Sequence, residues 1–250
     1  VLVDATAIVA STAEERGWLI DLYAAHPERI RLIPPGVDHE LFTPPAGGDR
    51  GLAKRSLGFE GKQVLLFIGR LQPLKAGDTA IRALAHLIDW GRADPDKIRL
   101  IMVGGPSGKA GFGEPQRLQG LASDLGVLDS VDFVAAQPQS ELPSYYQAAD
   151  VCLVPSYNES FGLVALEAQA SGVPVVGSAI GGLRSIVRHG QTGFLVEPGR
   201  SEAFAERTWR ILSDRRIADS MSRLAECSSR EFSWDRCASE LYDLYTSSVS

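Results

Sequence analysis

Two carboxylates near the start of an apolar stretch have the chemistry to hold a hydroxyl-rich ligand. Glu159 lies in the loop Pro155–Gly162, and Glu167 follows eight residues later. Glu167 is the only charged residue from Phe161 through Leu183, and such a carboxylate is costly to bury unless a hydrogen bond compensates it. Because carboxylates accept hydrogen bonds from sugar hydroxyls, the pair predicts contacts with a sugar and a ribose. The alternative is that Glu159 only favours the helix start and Glu167 pairs with an arginine elsewhere.

Between these carboxylates the sequence predicts a helix that begins near Phe161. The first amides of a helix have no intrahelical partner, and the helix dipole is positive at this end. Both properties favour an anion such as a phosphate. A ligand with phosphate between two hydroxyl-bearing ends could therefore contact the amides and both carboxylates.

Two cations follow an earlier apolar run. Arg70 and Lys75 lie five residues apart after the predicted strand Val64–Ile68, with Gly69 between the strand and Arg70. Arginine presents a planar fork of donors and lysine a compact point charge, a combination that suits a diphosphate. Solvated surface cations are the alternative interpretation of this pattern.

Three more loops follow predicted strands. Gly104–Gly108 lets backbone amides approach a ligand, but it lacks the spacing of a Walker loop or a dinucleotide fingerprint, so a long turn explains it equally well. The paired glycines of Gly177–Gly182 predict a loop that contacts the same ligand. Gln137 lies where backbone groups could meet a base.

Short apolar, β-branched runs alternate with longer helical stretches along the chain. This alternation predicts a Rossmann-like α/β fold, a parallel sheet covered by helices on both faces. In such a sheet, ligands bind beyond the carboxyl ends of the strands, where the loops above lie. The predicted strands are Ala7–Ala10, Ile30–Ile33, Val64–Ile68, Ile98–Val103, Val131–Val134, Val151–Val154, Val173–Val176 and Phe194–Val196.

Two helix boundaries carry recognisable signals. Ser11 followed by Glu14 forms a capping-box pattern for a helix that runs to about Ala24. Ser233 opens the last helix, which is predicted to end near Tyr245.

A stretch rich in Pro and Gly divides the chain. Residues 34–49 are poor in helix and strand formers and are predicted to be an interdomain linker. Residues 50–230 then form a ligand-binding domain. Residues 1–33 contain one β-α-β unit, which cannot cover its own apolar faces, so we expect them to be the tail of a truncated N-terminal domain. Residues 231–250 are expected to return to that domain. The alternative places all strands in one sheet.

The composition excludes several functional classes. A net charge of −6 argues against nucleic-acid binding and against a polybasic membrane anchor. No apolar run approaches the ~20 residues of a membrane span, and we expect no signal peptide. The three cysteines show no C-x-x-C spacing, which argues against structural zinc and favours a reducing compartment. We therefore expect a cytoplasmic protein without a metal site.

The spacing of Glu159 and Glu167, with Arg70 and Lys75 upstream, resembles the donor site of glycosyltransferase family four. These are retaining enzymes of the GT-B fold, in which two Rossmann-like domains face each other. Within the family, three segments are similar to the inositol-phosphate N-acetylglucosaminyltransferases of mycothiol synthesis: Gly69–Ala76, Gly104–Gly108 and Ser156–Leu183. The resemblance covers about residues 7–196 and implies the C-terminal, donor-binding half of such an enzyme.

The resemblance also implies a role for each site residue. Arg70 and Lys75 bind the donor diphosphate and stabilise the leaving group, and Glu159 holds sugar hydroxyls, so these three are the implied catalytic residues. Glu167 holds the ribose diol, and the Gln137 backbone contacts uracil. The implied donor-binding set is Gly69, Gln137, Glu159, Ser160, Phe161, Gly162, Leu163, Val164 and Glu167.

For the reaction, the resemblance implies front-face substitution with retained anomeric configuration and no catalytic metal or cofactor. UDP-N-acetylglucosamine is the preferred donor, and a small hydroxylated acceptor such as inositol phosphate binds mainly to the N-terminal domain. Residues 1–250 alone are then expected to bind UDP but to transfer no sugar. A homodimer is compatible with the sequence. The histidines match no catalytic position and are interpreted as structural: His26, His39, His86 and His189.

Two alternative functions stay open at this point. One is a sucrose-phosphate-synthase-like or other enzyme that uses UDP-glucose, and the other is a non-catalytic module that binds a nucleotide sugar. Binding of UDP-N-acetylglucosamine against UDP-glucose separates the first alternative from the preferred function. Activity of a complete two-domain protein separates the second.

Overall fold

The structure is a computed structural model that describes residues 4–249, apart from the side chains of residues 109, 110, 248 and 249. Residues 1–3 and 250, which belong to the two predicted terminal segments, lie outside the described residues. The strands are β1 (Ile8–Ala10), β2 (Ile30–Leu32), β3 (Gln63–Ile68), β4 (Ile98–Val103), β5 (Val131–Val134), β6 (Val151–Val154), β7 (Val175–Ser178) and β8 (Gly193–Val196).

The strands from β3 to β8 form one six-stranded sheet in the order β5-β4-β3-β6-β7-β8. Every pair of neighbours in it is parallel, so the predicted parallel α/β sheet is confirmed. The strand predicted at Val173–Val176 is displaced by two residues, to Val175–Ser178. Pro174 explains the shift because it has no N–H to donate to the sheet. The Val173 amide donates to the Ala168 carbonyl outside the sheet, and Val175 is the first residue there to donate towards β8, to the Thr192 carbonyl.

Helices connect the strands. They are α1 (Ala13–Tyr23), α2 (Gly51–Ser56), α3 (Gly77–Asp89), α4 (Gly108–Gly111), α5 (Glu114–Asp124), α6 (Leu142–Ala148), α7 (Leu163–Ala170), α8 (Leu183–Ile186), α9 (Ser201–Leu212), α10 (Arg215–Ser229) and α11 (Trp234–Val249). The last helix therefore extends beyond the predicted end at Tyr245.

The capping prediction for α1 is wrong by one residue. Two overlapping capping-box patterns stand side by side, Ser11 with Glu14 and Thr12 with Glu15. The structure uses the second: the Thr12 hydroxyl accepts from the Glu15 amide at 3.0 Å. Thr12 is buried, so its hydroxyl needs this partner, whereas the Ser11 amide donates to the Glu15 carboxylate at 2.7 Å.

Apolar layers cover both faces of the sheet. Along β3, Leu65 and Phe67 belong to a core that includes side chains of α3, α5 and α9. Their neighbours Val64 and Leu66 belong to a second core that includes side chains of α6 and α7. Because successive strand residues point to opposite faces, the prediction of helices on both faces is confirmed.

The unit β1-α1-β2 stands apart from this sheet. β1 and β2 form their own two-stranded parallel sheet, with a small core that includes Ile8 and Ile30. Trp18 and Leu22 of α1 remain 43% and 72% exposed. The interpretation that joins all strands in one sheet is therefore wrong, while the domain boundaries stay a prediction.

The segment 34–49 packs on its surroundings rather than spanning free space. Phe42 is 1% exposed and its ring meets that of Tyr146 edge-on, with centroids 5.6 Å apart. The Val37 amide donates to the Phe232 carbonyl at 3.2 Å. The predicted lack of long regular elements holds, since only a short 3-10 turn (Ala46–Gly48) interrupts the segment, but its apolar side chains anchor it.

Candidate functional site

The predicted site residues lie on loops at the carboxyl edge of the six-stranded sheet. The strand order reverses between β3 and β6, which lie side by side in its middle. Such a switch point opens a crevice beyond the strand ends, where parallel α/β proteins bind ligands. The loop Gly69–Lys75 follows β3 and the loop Pro155–Gly162 follows β6. The cations and the carboxylates therefore stand on opposite sides of the reversal.

The structure brings Lys75 and Glu159 into direct contact. Lys75 Nζ lies 2.7 Å from Glu159 Oε2, and the two side chains are only 23% and 16% exposed. The two loops are also joined by the backbone, because the Tyr157 amide donates to the Leu74 carbonyl at 2.8 Å. The lysine predicted for a phosphate and the carboxylate predicted for a sugar thus neutralise each other in this structure.

Arg70 is exposed on the same loop. No residue among those described forms a hydrogen bond or ion pair with its guanidinium. The fork of donors is therefore available to an anion at this edge.

Glu167 lies on α7 and is largely withdrawn from water. Its carboxylate Oε2 accepts a hydrogen bond from the Tyr146 hydroxyl at 2.8 Å. Burial raises the pKa of Glu167, against the opposing effect of hydrogen bonds from Tyr146 and Gln139. The alternative that Glu167 pairs with an arginine is wrong, since no described residue forms an ion pair with it.

The start of α7 offers unsatisfied amides. Gly162, with φ of 103°, precedes the helix, and no side chain caps this terminus. The first intrahelical bond along it runs from the Leu166 amide to the Gly162 carbonyl, so the amides of Leu163 and Val164 precede the helical ladder. Leu163 is 43% exposed, which leaves this end open to a ligand.

The glycines after β7 serve the site indirectly. A Cβ at Gly181 would lie 1.9 Å from the Glu159 carbonyl oxygen, and one at Gly182 would lie 2.2 Å from the Phe161 carbonyl oxygen. The Gly182 amide donates to the Glu159 carbonyl at 3.2 Å. The structure packs these glycines against the backbone that carries Glu159, and the expected contact of their loop with a ligand stays a prediction.

A cavity of about 270 Å³ lies at the carboxyl ends of β3 and β4 and beside the loop that follows β5. Its lining includes Gly69, Arg70, Gly105 and Gln137, so the structure brings together three predicted loops. The Gln137 side chain donates to the Ala135 carbonyl at 3.0 Å. Lys75, Glu159 and Glu167 do not line this cavity and form the adjoining part of the site.

A larger cavity of about 650 Å³ lies at the opposite edge of the sheet. Its charged residues are occupied by structural contacts. Arg50 donates to the Gly172 carbonyl at 2.6 Å, and burial lowers the pKa of its guanidinium. Lys54 pairs with Asp150 at 2.7 Å, and Asp150 also accepts from the Val64 amide. These polar contacts hold residues 44–54 against the sheet, and none of the predicted site residues lines this cavity.

Sequence reasoning missed Tyr146, the partner of Glu167. Tyr145 and Tyr146 are adjacent in the sequence, and nothing in their types distinguishes them.

The histidines hold local contacts: His39 Nε2 lies 3.2 Å from the Phe232 carbonyl, and His189 Nδ1 accepts from the Leu195 amide at 3.1 Å. In the described part of the chain, no cluster of three His, Cys, Asp or Glu residues has the arrangement to hold a metal ion. No described helix has the length and apolar character to cross a membrane.

A parallel sheet with two cations, two carboxylates and open helix amides around its switch point is typical of proteins that bind phosphorylated nucleotides. Residues 49–227 match the family described as Glycosyl transferases group 1. Because this match covers most of the chain, the chain belongs to that family. The resemblance of the sequence to glycosyltransferases of this group is thereby confirmed.

Curated relatives share the whole of this chain. Proteins named D-inositol 3-phosphate glycosyltransferase from Salinispora arenicola and Actinosynnema mirum are each 45% identical to it. The matches cover 100% and 98% of this chain, and 56% and 58% of those proteins. The chain thus spans little more than half the length of these relatives.

Solved glycosyltransferase structures share the fold. Sucrose-phosphate synthase from Thermosynechococcus elongatus is 32% identical, with a TM-score of 0.87 over 98% of this chain and 59% of that chain. Anabaena Alr3699/HepE in complex with UDP is 25% identical, with a TM-score of 0.86 over 97% of this chain and 64% of that chain. The predicted fold, a Rossmann-like half of the GT-B architecture, is confirmed.

Proposed function

We propose that this chain is the donor-binding part of a retaining glycosyltransferase that transfers a sugar from a UDP-sugar to a small hydroxylated acceptor. The preferred donor is UDP-N-acetylglucosamine and the preferred acceptor is inositol phosphate. The observation that carries the proposal is the position of Glu159 and Glu167 on either side of the uncapped start of α7. The names of the curated relatives support the acceptor, and the UDP bound by a structural neighbour supports the donor.

The uracil base is assigned to the β3–β5 side of the site and the ribose to Glu167 on α7. Uracil would contact the backbone of Gln137 at the cavity of about 270 Å³. The two ribose hydroxyls would donate to Glu167, whose carboxylate has no cation partner among the described residues. A largely buried carboxylate without a cation is stabilised by hydroxyl donors, because their hydrogen bonds compensate its desolvation.

The diphosphate is assigned to the switch point. Arg70 and Lys75 would bind it from the β3 loop, where Gly69 allows close backbone approach. The amides of Leu163 and Val164 would bind it from α7. When the bond to the sugar breaks, negative charge develops on the leaving diphosphate, and these donors stabilise it. Removal of one such donor typically lowers the rate by a factor on the order of 10²–10³.

The sugar is assigned to Glu159 and the residues that follow it, Ser160, Phe161 and Gly162. Glu159 would accept hydrogen bonds from sugar hydroxyls, while Lys75 moves from this carboxylate to the diphosphate. Attack from the same face as the departing diphosphate keeps the anomeric configuration. The proposal requires neither a catalytic metal nor a cofactor.

Titration calorimetry with UDP tests the nucleotide part of the proposal. We expect measurable binding, and Glu167→Ala is expected to weaken it by about 1–3 kcal/mol because the ribose diol loses a charged acceptor. Glu206→Ala, at an exposed position of α9, is the matched control and should bind UDP like the native chain. Absence of binding at millimolar UDP contradicts the proposal.

A second candidate is an enzyme that uses UDP-glucose, because sucrose-phosphate synthase shares the fold over 98% of this chain. Calorimetry with UDP-N-acetylglucosamine against UDP-glucose decides between the donors. Tighter binding of UDP-glucose favours the second candidate. A non-catalytic binding module is the remaining alternative, and it predicts donor binding without transfer by any longer form of the protein.

A further inference from the structure

Tyr146 is fixed in the core next to the Glu167 carboxylate. Its side chain is fully buried, and its hydroxyl lies 2.8 Å from Glu167 Oε2. The other acceptor in reach, the Val164 carbonyl, is 3.5 Å away, too far to compete for the single hydroxyl hydrogen. The edge-on contact with Phe42, at 5.6 Å between ring centroids, also restrains the tyrosine ring.

The two polar neighbours of Glu167 differ in their ability to exchange. Gln139 is the other side chain that lowers the pKa of this carboxyl, and because it is exposed, a ligand hydroxyl can take its place. Tyr146 has no access to solvent and cannot be replaced. One oxygen of Glu167 is therefore permanently engaged from inside the protein, while the contact from the surface is exchangeable.

The hydroxyl of Tyr146 also favours the charged form of Glu167. Burial raises the pKa of this carboxyl, and the hydrogen bond opposes that rise. The other titratable group that faces Glu167, Cys152 on β6, is fully buried, and burial raises the pKa of its thiol. Cys152 thus remains a neutral thiol and places no second negative charge beside Glu167. Burial likewise raises the pKa of Tyr146, so this hydroxyl keeps its proton and acts only as a donor.

We propose that Tyr146 is a positioning residue for ribose recognition: it fixes the orientation of the Glu167 carboxylate so that the two ribose hydroxyls of a nucleotide replace the surface contact. This inference rests on the proposed function, which assigns the ribose to Glu167. It adds a residue that does not touch the ligand and that sets the preference for a ribose carrying both hydroxyls.

The test compares UDP with 2′,3′-dideoxy-UDP in the native chain and in Tyr146→Phe, which keeps the ring and removes only the hydroxyl. We expect the variant to bind UDP about fivefold more weakly, the size of one hydrogen bond, and to bind the dideoxy nucleotide within twofold of the native chain. Tyr145→Phe on the same helix is the matched control and should change neither affinity. Equal loss for both nucleotides, or no loss for either, overturns the proposal.

Glu167→Gln separates this inference from the proposed function. If the native chain binds both nucleotides equally well, the assignment of ribose to Glu167 is wrong and the proposed function loses its main support. If Glu167→Gln removes the preference for UDP but Tyr146→Phe does not, only the role of Tyr146 is wrong.

A measurement on the native chain covers the case in which Tyr146→Phe does not fold. The buried Tyr146 hydroxyl proton is expected to exchange slowly and to give its own proton resonance. UDP should shift this resonance, because hydrogen bonds from the diol draw electron density from the carboxylate that Tyr146 shares, whereas the dideoxy nucleotide should leave it in place. Identical spectra with both nucleotides contradict the proposal.

Discussion

At the scale of single residues, the ion pair between Lys75 and Glu159 makes a specific prediction about donor recognition. Glu159→Gln removes the charge that holds Lys75 at 2.7 Å and frees the lysine for the diphosphate. We expect UDP to bind the variant as tightly as the native chain or up to about 1 kcal/mol more tightly, the range of a partly exposed pair. The additional affinity of UDP-N-acetylglucosamine over UDP should be lost, since the sugar hydroxyls lose their acceptor.

Calorimetry with both ligands checks this prediction, and Glu206→Gln serves as the control. A variant that loses as much affinity for UDP as for the UDP-sugar would show that Glu159 supports the nucleotide and not the sugar.

A second prediction at this scale concerns the stability cost of Glu167. Burial raises its pKa in the folded state above the usual 4.5. As the pH rises through 4.5, the unfolded state ionises first, so Glu167 lowers the free energy of unfolding progressively up to its folded pKa and beyond that by a constant amount. The change in the free energy of unfolding caused by Glu167→Gln is therefore expected to be more favourable at pH 7 than at pH 4. Urea unfolding at both pH values checks this, and an equal effect at both contradicts it.

The residues of the site differ in how far the sequence reveals them. Glu167 was predictable because a lone charge in an apolar run requires an explanation. The contact of Lys75 with Glu159 was not, since the two lie 84 positions apart and each type is common at surfaces. Tyr146 was hidden because an aromatic residue before a buried strand is ordinary core material, and only the folded chain shows which acceptor its hydroxyl meets.

At the scale of elements, the close contact between the glycines after β7 and the loop that carries Glu159 predicts unequal effects of alanine. Gly182→Ala places a Cβ 2.2 Å from a backbone oxygen, so the loops must separate, and we expect a loss of about 1–3 kcal/mol of stability together with weaker UDP binding. Gly120→Ala is the control. Gly120 lies in α5, where an added Cβ would meet no atom within 4 Å, and this change should stabilise the chain by about 0.5–1 kcal/mol.

Chemical denaturation of the two glycine variants gives both values. If Gly182→Ala proves as stable as the native chain, the packing of the β7 loop against Glu159 does not determine the geometry of the site.

The elements themselves were largely predictable. Short, nearly continuous apolar runs separated by helical stretches are typical of strands in a parallel sheet that is covered on both faces. The six strands of the main sheet were each found, and the errors fell at their ends. One boundary differs because of Pro174. The prediction followed the run of apolar residues, whereas a strand in the sheet also needs N–H donors, which proline lacks. Ser11 and Thr12 both begin a capping-box pattern. Thr12 caps α1 because its buried hydroxyl needs a partner, and the sequence does not show directly which of the two is buried.

At the scale of the whole molecule, all of this chain aligns with a curated relative, but it covers only 56% of that relative's length. The residues assigned to a ligand all belong to the donor side, at the edge of one sheet. We therefore expect residues 1–250 to bind UDP but to release none from UDP-N-acetylglucosamine in response to inositol phosphate, because positioning of two substrates can contribute up to roughly 7–11 kcal/mol. Acceptor-dependent release of UDP, measured beside a full-length relative, would place the acceptor site on this chain.

The strand order has a consequence for how the molecule comes to be folded. β3 pairs with β4, the next strand along the chain, after a single crossover through α3. Its other partner is β6, and the register partners Leu65 and Val151 are 86 positions apart. Pairing over such a separation carries a larger loop-closure entropy and is expected to form late. Arg70 and Lys75 follow β3, and Glu159 follows β6, so the β3–β6 pairing brings them together. A nascent or half-folded chain thus carries Arg70 and Lys75 before Glu159 is in place beside Lys75, and ligand binding is expected to require the late pairing of β3 with β6.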